Sequence, residues 1–446
     1  MSKYRNRFVA AAAALALGLG VLTVAPASQA QTEPGDEVRL NEIQVIGTHN
    51  SYKVLPSPAE QDLIRGVIGS GADAMQYQHV PLGQQFANQK VRQIELDVWV
   101  DSAGGRYSEP LLRSVLDLGP YQPEIMDRPG IKAFHIQDVD YGSTCPSFVM
   151  CLQQVKAWSD ANPGHVPLAI LVELKDTPLE VGDFDFTEPE PWTAAAMDEL
   201  DADIRSVFPD DQVITPDDIR DGASTLREAV TTTGWPTLGE SRGKVMFTMD
   251  NGGGYRSTYR AGRPSLQGRM LFTNAEPADE DAAFIKRNDP FDPSIPGLVS
   301  AGFLVRTRSD GDTVEARTGD TSARDAALAS GAQWVSTDYP VAGMAVGFTS
   351  SYVAEIPGGT VARCNPVNGP EGCVASTLDR VSGGPVGPPP TSPTVPGSGS
   401  TVPGSTVPGS TSSIPGSTPT TRPVTSAPHR PASPAAPVRG TASYAG

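Results

Sequence analysis

The chain has 446 residues, with 51 acidic against 34 basic side chains and a formal net charge of −17. That balance excludes the usual electrostatic route to nucleic acid, in which Lys and Arg neutralise phosphates, and adsorption to an anionic membrane without a bridging cation. The 45 glycines and 42 prolines exceed their usual shares of roughly 7% and 5%, which predicts a folded core joined to a segment that does not fold.

Residues 1–30 read as a secretory signal. Lys3, Arg5 and Arg7 make a positive start, an apolar run follows from Phe8 to Val24, and Ser28-Gln29-Ala30 offers small residues for cleavage. The run is interrupted by glycines and short for a bilayer span. Its removal takes the net charge from −17 to −20, because three basic residues leave with it.

Short apolar runs follow at 43–47, 93–99, 132–136, 168–174, 244–249, 269–273, 303–306 and 334–337. Several are nearly continuous in Ile, Val, Leu and Phe, as strands are when both faces are covered. Segments with helical spacing lie between some of them, at 147–162, 192–208 and 322–330, the last closed by Gly331. Alternation of the two kinds argues for βα units, and eight of them for a barrel. The predicted fold is therefore α/β, a TIM-type (β/α)8 barrel with elaborated loops over residues 31–380. A doubly wound open sheet is the alternative.

From about 381 to 446 the chain is low in complexity. Thr-Val-Pro-Gly-Ser occurs at 394–398, 401–405 and 406–410, with a degenerate copy at 414–417. Proline and glycine oppose regular structure, and little apolar surface offsets chain entropy. A disordered tail is expected, either a stalk associated with a cell wall or a tail alone. The four cysteines, in an oxidising compartment, allow three pairings. Local pairing, Cys145 with Cys151 and Cys364 with Cys373, is the simplest. The spacings lack the C-x2-C form of zinc sites.

Barrels carry their chemistry where strands end, and these ends are polar. The first run ends in Gly47-Thr48-His49-Asn50-Ser51-Tyr52. The second carries Glu95 and Asp97, the third ends at His135, and the fourth carries Glu173 and Lys175. Later runs end at Asp250, Asn274, Arg306-Thr307-Arg308 and Asp338. Strand side chains alternate, so Glu95 and Asp97 share a face, as do Glu173 and Lys175, while Ile94, Leu96, Val98, Val172 and Leu174 take the other. Buried carboxylates cost several kcal/mol unless paired or metal-bound. Three of them with one lysine call for a hard divalent cation, and Asn50 adds a neutral oxygen, a set that suits calcium or magnesium. His49 and His135 bring groups that titrate near neutrality. Two such groups beside a metal-bound phosphate fit cleavage of a phosphodiester. His79 and His165 lie in loops and read as structural. Asn251-Gly252-Gly253-Gly254 reads as a turn before it reads as a phosphate cradle.

The motifs 47–52, Arg92-Gln93-Ile94-Glu95-Leu96-Asp97, Phe134-His135 through Asp138-Val139-Asp140-Tyr141, Glu173-Leu174-Lys175 and the segment 329–339 resemble the calcium-dependent phosphatidylinositol-specific phospholipases C, in particular the secreted bacterial branch. The resemblance covers roughly 40–345. It implies that Asn50, Glu95, Asp97 and Glu173 bind Ca2+, that His49 stabilises the charged phosphorane, and that His135 protonates the departing diacylglycerol. Glu95 would double as base for the inositol 2-hydroxyl, and Lys175, Arg306 and Arg308 would meet inositol or its phosphate. Arg308 stands where eukaryotic relatives carry a tyrosine. The implied enzyme is a secreted monomer that meets its phospholipid at a membrane surface without spanning it and binds no nucleic acid. A glycerophosphodiester phosphodiesterase or phospholipase D-like barrel is the nearest rival, but there the second histidine closely follows Glu-x-Asp, whereas His135 lies 38 residues beyond Asp97. A non-catalytic surface binding protein is the rival from another class.

Overall fold

In the computed structural model, which describes residues 33–345, 348 and 350–381, the apolar runs do become strands. They are β1 (Ile43–Thr48), β2 (Gln93–Trp99), β3 (Lys132–Ala133), β4 (Leu168–Lys175), β5 (Val245–Met249), β6 (Leu271–Thr273), β7 (Phe284–Lys286), β8 (Leu304–Arg308), β9 (Trp334–Thr337) and β10 (Ala362–Cys364). Eight run parallel in the order β6-β5-β4-β2-β1-β9-β8-β7. A single parallel bridge, Asn274 to Phe284, joins β6 to β7 and completes the ring. That closure decides for the barrel and against the open sheet. β10 pairs antiparallel with β1.

One expected barrel strand is not one. Of 132–136 only Lys132 and Ala133 are strand, and they pair antiparallel with the end of β2. The reason is local. β2 and β4 pair directly over seven residues, from Gln93 opposite Ala169 to Trp99 opposite Lys175, so no slot remains between them. The chain instead turns back at Asp138 (φ 68°), with Ile136 bridging Asp140. The eighth barrel strand is Phe284–Lys286, three residues that are too short for an apolar run to reveal.

The three expected helices form as Phe148–Ala161, Ala194–Val207 and Ser322–Ser330. Thr193 caps the second by accepting from the amide of Ala196. Gly331 ends the third at φ +81°, where a Cβ would meet Val367 at 2.4 Å, so no other residue fits without movement. The long loop after β1 folds into a helix, Pro58–Ile68, begun by a capping box between Ser57 and Glu60, and into a second helix, Leu82–Asn88.

Disulfides join Cys145 to Cys151 and Cys364 to Cys373, the local pairing expected from spacing. Among the described residues no helix is long and apolar enough to cross a membrane. The expected signal segment and residues 382–446 of the expected tail lie outside the described residues.

Candidate active site

The site grows from the register of two neighbouring strands. Period-2 alternation puts Glu95 and Asp97 on one face of β2 and Glu173 and Lys175 on one face of β4. Pairing then sets Asp97 opposite Glu173 and Trp99 opposite Lys175. Oxygens of Glu95, Asp97 and Glu173 all lie within 4.8 Å of one another, the one such acidic group among the described residues. Glu95 and Asp97 are fully buried.

Glu95 and Glu173 are each hydrogen-bonded at one oxygen only, and Asp97 at neither. Arg306 on β8 donates to Glu95 Oε2 at 2.5 Å. Lys175 Nζ lies 3.0 Å from Glu173 Oε1 and 3.3 Å from Asp97 Oδ2. Glu95 Oε1, both oxygens of Asp97 and Glu173 Oε2 are buried with no hydrogen-bond partner among the described residues. Burial pushes the Glu95 carboxyl up to about 7 against the pull of Arg306, with Asp250 and Glu173 adding to the rise. Burial also drives Asp97 well above its usual range, with Lys175 opposing and Glu173 and Glu95 reinforcing. For Glu173 burial is outweighed by Lys175 and Lys286, which hold it low. Buried oxygens without donors, repelling one another, are a donor set for a hard oxygen-seeking cation. The residues therefore fit calcium.

Asn50 follows β1 at φ 44°. Its neighbour Ser51 ties the loop to β2, the amide donating to Glu95 O at 2.9 Å and Oγ accepting from the Glu95 amide at 2.8 Å. The Asn50 side-chain amide donates to Tyr77 Oη at 2.7 Å, which leaves its oxygen with only a 3.2 Å contact from the Tyr52 hydroxyl.

Both candidate histidines are held at Nδ1 by a carboxylate. His49 Nδ1 lies 2.9 Å from Asp338 Oδ1 at the end of β9, which assigns the proton to Nδ1 and leaves Nε2 as the acceptor, 3.9 Å from Glu95 Oε1. Arg308 reaches Asp338 Oδ2 at 3.3 Å. His135 Nδ1 lies 2.7 Å from Asp140 Oδ2. Asp140 Oδ1 accepts from the buried Lys53 at 2.9 Å. Burial lowers His49 well below the usual imidazole range, aided by Arg308 and Arg306. Burial lowers His135 as well, with Asp140 opposing.

The ring of β1, β2, β4, β8 and β9 thus gathers His49, Asn50, Glu95, Asp97, Glu173, Lys175, Arg306 and Arg308, while His135 enters from the hairpin beyond β3. Arg306 does not open to solvent. It is fully buried, and its guanidinium is shared among Glu95, Ser336 and Asn288. Reading strand ends alone missed the roles open to Asp338, Asp140 and Lys53. Asp338 was visible as the end of its strand and Asp140 as part of a motif, but nothing local says which histidine each will meet. His79 Nε2 donates to the His49 carbonyl at 2.9 Å, and His165 is bonded to Ser159 and Val166. Burial pushes both down to about 4, as befits structural histidines. Asn251 clamps both backbone groups of Leu174, and the expected turn is instead a helix start, Gly253–Tyr259 with Gly252 at its cap.

A sequence model described as phosphoinositide phospholipase C, Ca2+-dependent, matches residues 38–366. The chain belongs to that family. As a member of the calcium-dependent phosphoinositide phospholipase C family it is a phosphoric diester hydrolase of the phospholipase C type, which sets aside the phospholipase D-like and non-catalytic readings. Among solved structures it is similar to a calcium-dependent phosphoinositol-specific phospholipase C from a Gram-negative Pseudomonas species, at 16% identity over 74% of this chain and 96% of that one, with a TM-score of 0.43. It is also similar to the Ca2+-dependent phosphatidylinositol-specific phospholipase C of Streptomyces antibioticus, at 18% identity over 68% of this chain and 95% of that one, with a TM-score of 0.42. No curated protein matches the chain.

Proposed function

We propose that this enzyme cleaves phosphatidylinositol to diacylglycerol and an inositol phosphate, by attack of the inositol 2-hydroxyl on phosphorus. The observation that carries the reading is the pairing of two carboxylate-held imidazoles with a buried, under-satisfied triad of carboxylates.

Asn50, Glu95, Asp97 and Glu173 are the residues that would hold calcium. Bound there, the cation lowers the pKa of the attacking hydroxyl and offsets charge gathering on the phosphoryl oxygens. Glu95, whose Oε1 has no hydrogen-bond partner among the described residues, takes the proton from the 2-hydroxyl as its carboxylate. The new bond forms between inositol O2 and phosphorus. The bond from phosphorus to the glycerol oxygen breaks, and His135 delivers a proton to the departing alkoxide. Arrival of an anionic phosphate favours the imidazolium and so loads His135 for that task. His49, turned by Asp338, takes up a proton at Nε2 when the anionic phosphate arrives and, as an imidazolium, donates to the oxygens of the pentacoordinate phosphorus. Lys175 and Arg308 meet the phosphate or the inositol hydroxyls. Arg306, committed to Glu95, is assigned first to holding that carboxylate in place.

The signal-like segment and the two disulfides support a secreted enzyme, and the absence among the described residues of a helix able to cross a membrane is in keeping with a peripheral one. The test is release of water-soluble inositol phosphate from phosphatidylinositol vesicles by the purified chain, with calcium and with excess chelator. Calcium-dependent release is expected. Release that survives chelation would remove the metal from the reading. Absence of release would remove the substrate.

A further inference from the structure

Beside the His135 hairpin lies a cavity of about 690 Å³ including its mouth, lined by fourteen residues, all of them apolar. Most of that volume is open mouth, and the enclosed space is about 100 Å³. Its walls are the Pro58–Ile68 helix, the short helix Leu111–Val115, Met75, the hairpin residues Ile136 and Val139, and the loop 179–186 that follows β4. The mouth is rimmed by apolar side chains left in water: Val67 is 48% exposed, Val115 58% and Phe184 50%.

The walls are built on the same residues that hold His135. Ile136 exchanges backbone hydrogen bonds with Asp140, the partner of His135. The Met75 carbonyl accepts from Lys53, the partner of Asp140. Between them Asp138 pins two walls at once, accepting from the Leu111 amide at 2.9 Å and the Thr187 amide at 2.5 Å. The cavity therefore adjoins the hairpin that carries His135.

We propose that this cavity is an acyl-chain subsite that receives one hydrocarbon chain of the diacylglycerol leaving group, an inference that rests on the phospholipase reading above. The chemistry selects the occupant. No lining residue offers a hydrogen bond or charge from its side chain, so neither inositol nor phosphate would be recognised there. The acyl chains are the apolar part of the substrate, and they leave on the side of His135. The enzyme would then read chain length in single lipid molecules as well as at a bilayer.

The test uses the full chain with monomeric phosphatidylinositols bearing butanoyl, hexanoyl and octanoyl chains, each below its critical micelle concentration. kcat/KM is expected to rise by up to roughly fourfold per methylene of the bound chain. Val181→Trp, which fills the cavity, should flatten that rise, and Val115→Trp at the exposed rim serves if the first variant does not fold. Calorimetry of the wild-type chain with dihexanoylglycerol should show binding with a negative heat-capacity change. Turnover that ignores chain length, with no dihexanoylglycerol binding, would overturn the subsite and leave the phospholipase reading standing. Binding of dihexanoylglycerol without turnover of any inositol lipid would support the subsite and sink the phospholipase reading. A defect in Val181→Trp confined to vesicles, with the monomer series unchanged, would make the rim a bilayer contact and overturn the subsite.

Discussion

Asp338 and His49 stand at opposite ends of the chain's folded part, 289 residues apart, and meet at 2.9 Å. The meeting is made by the β1–β9 register, which sets Thr48 opposite Thr337. Because the carboxylate accepts from Nδ1, it fixes the tautomer that leaves Nε2 towards Glu95. Asp338→Asn should therefore lower kcat on the order of 10²-fold or more, with KM nearly unchanged, since the ring is still present but free to take the wrong tautomer. An unaltered kcat would show that the carboxylate only supports the fold.

His135→Ala should reduce turnover by roughly 10²- to 10⁴-fold, the usual worth of a positioned acid. A phosphodiester with a far more acidic leaving alcohol needs no proton from the enzyme, so the variant should recover much of its rate on such a substrate. An equal defect on both substrates would take the acid role away from His135. Asp140→Asn should show the same pattern more weakly.

Calcium should stabilise the folded chain, because Asp97 Oδ1 and its neighbours are arranged only in the native state. At a hundredfold excess over Kd the gain is about 2.7 kcal/mol, readable as a rise in Tm over the chelated protein. Asp97→Asn and Glu95→Gln should fold, lose most of that rise, and lose calcium-dependent activity. A full calcium shift in both variants would place the ion elsewhere.

His165 should impose a pH dependence on stability that has nothing to do with catalysis. Burial pushes it down to about 4 from 6.5, so between those values the unfolded chain binds more protons than the native one. Stability is then fully present above pH 6.5 and falls as pH drops towards 4, by about 3 kcal/mol at 1.36 kcal/mol per pKa unit. His165→Gln should flatten that part of the unfolding curve. A slope identical to wild type would assign the loss to other groups.

Much of the site was legible because strand geometry is local. Glu95 with Asp97, and Glu173 with Lys175, could be placed on shared faces from spacing alone, and His49 and Asn50 followed an apolar run. The ion pair of Lys175 with Glu173 and Asp97 turned out to sit inside the site, so the structural and the functional readings of that lysine hold together. Arg306 was read as a substrate group, yet its burial against Glu95 is invisible without the neighbouring strand. The segment 132–136 was misread because an antiparallel pair and a barrel strand have the same apolar composition.

By itself the sequence determined seven of the eight barrel strands, which residues alternate towards the interior, and that two cysteine pairs lie close enough to join. These follow from backbone periodicity and short loops, which neighbours in the chain decide among themselves. The tertiary structure alone decided that the ring closes between Asn274 and Phe284, that a three-residue strand fills its eighth place, and that Asp338 serves His49 while Asp140 serves His135. Those pairings depend on which strands lie side by side and on where the buried charges find partners. Low-dielectric surroundings leave a buried carboxylate or imidazole little choice but to take the nearest complementary group, and only the closed barrel says which group that is.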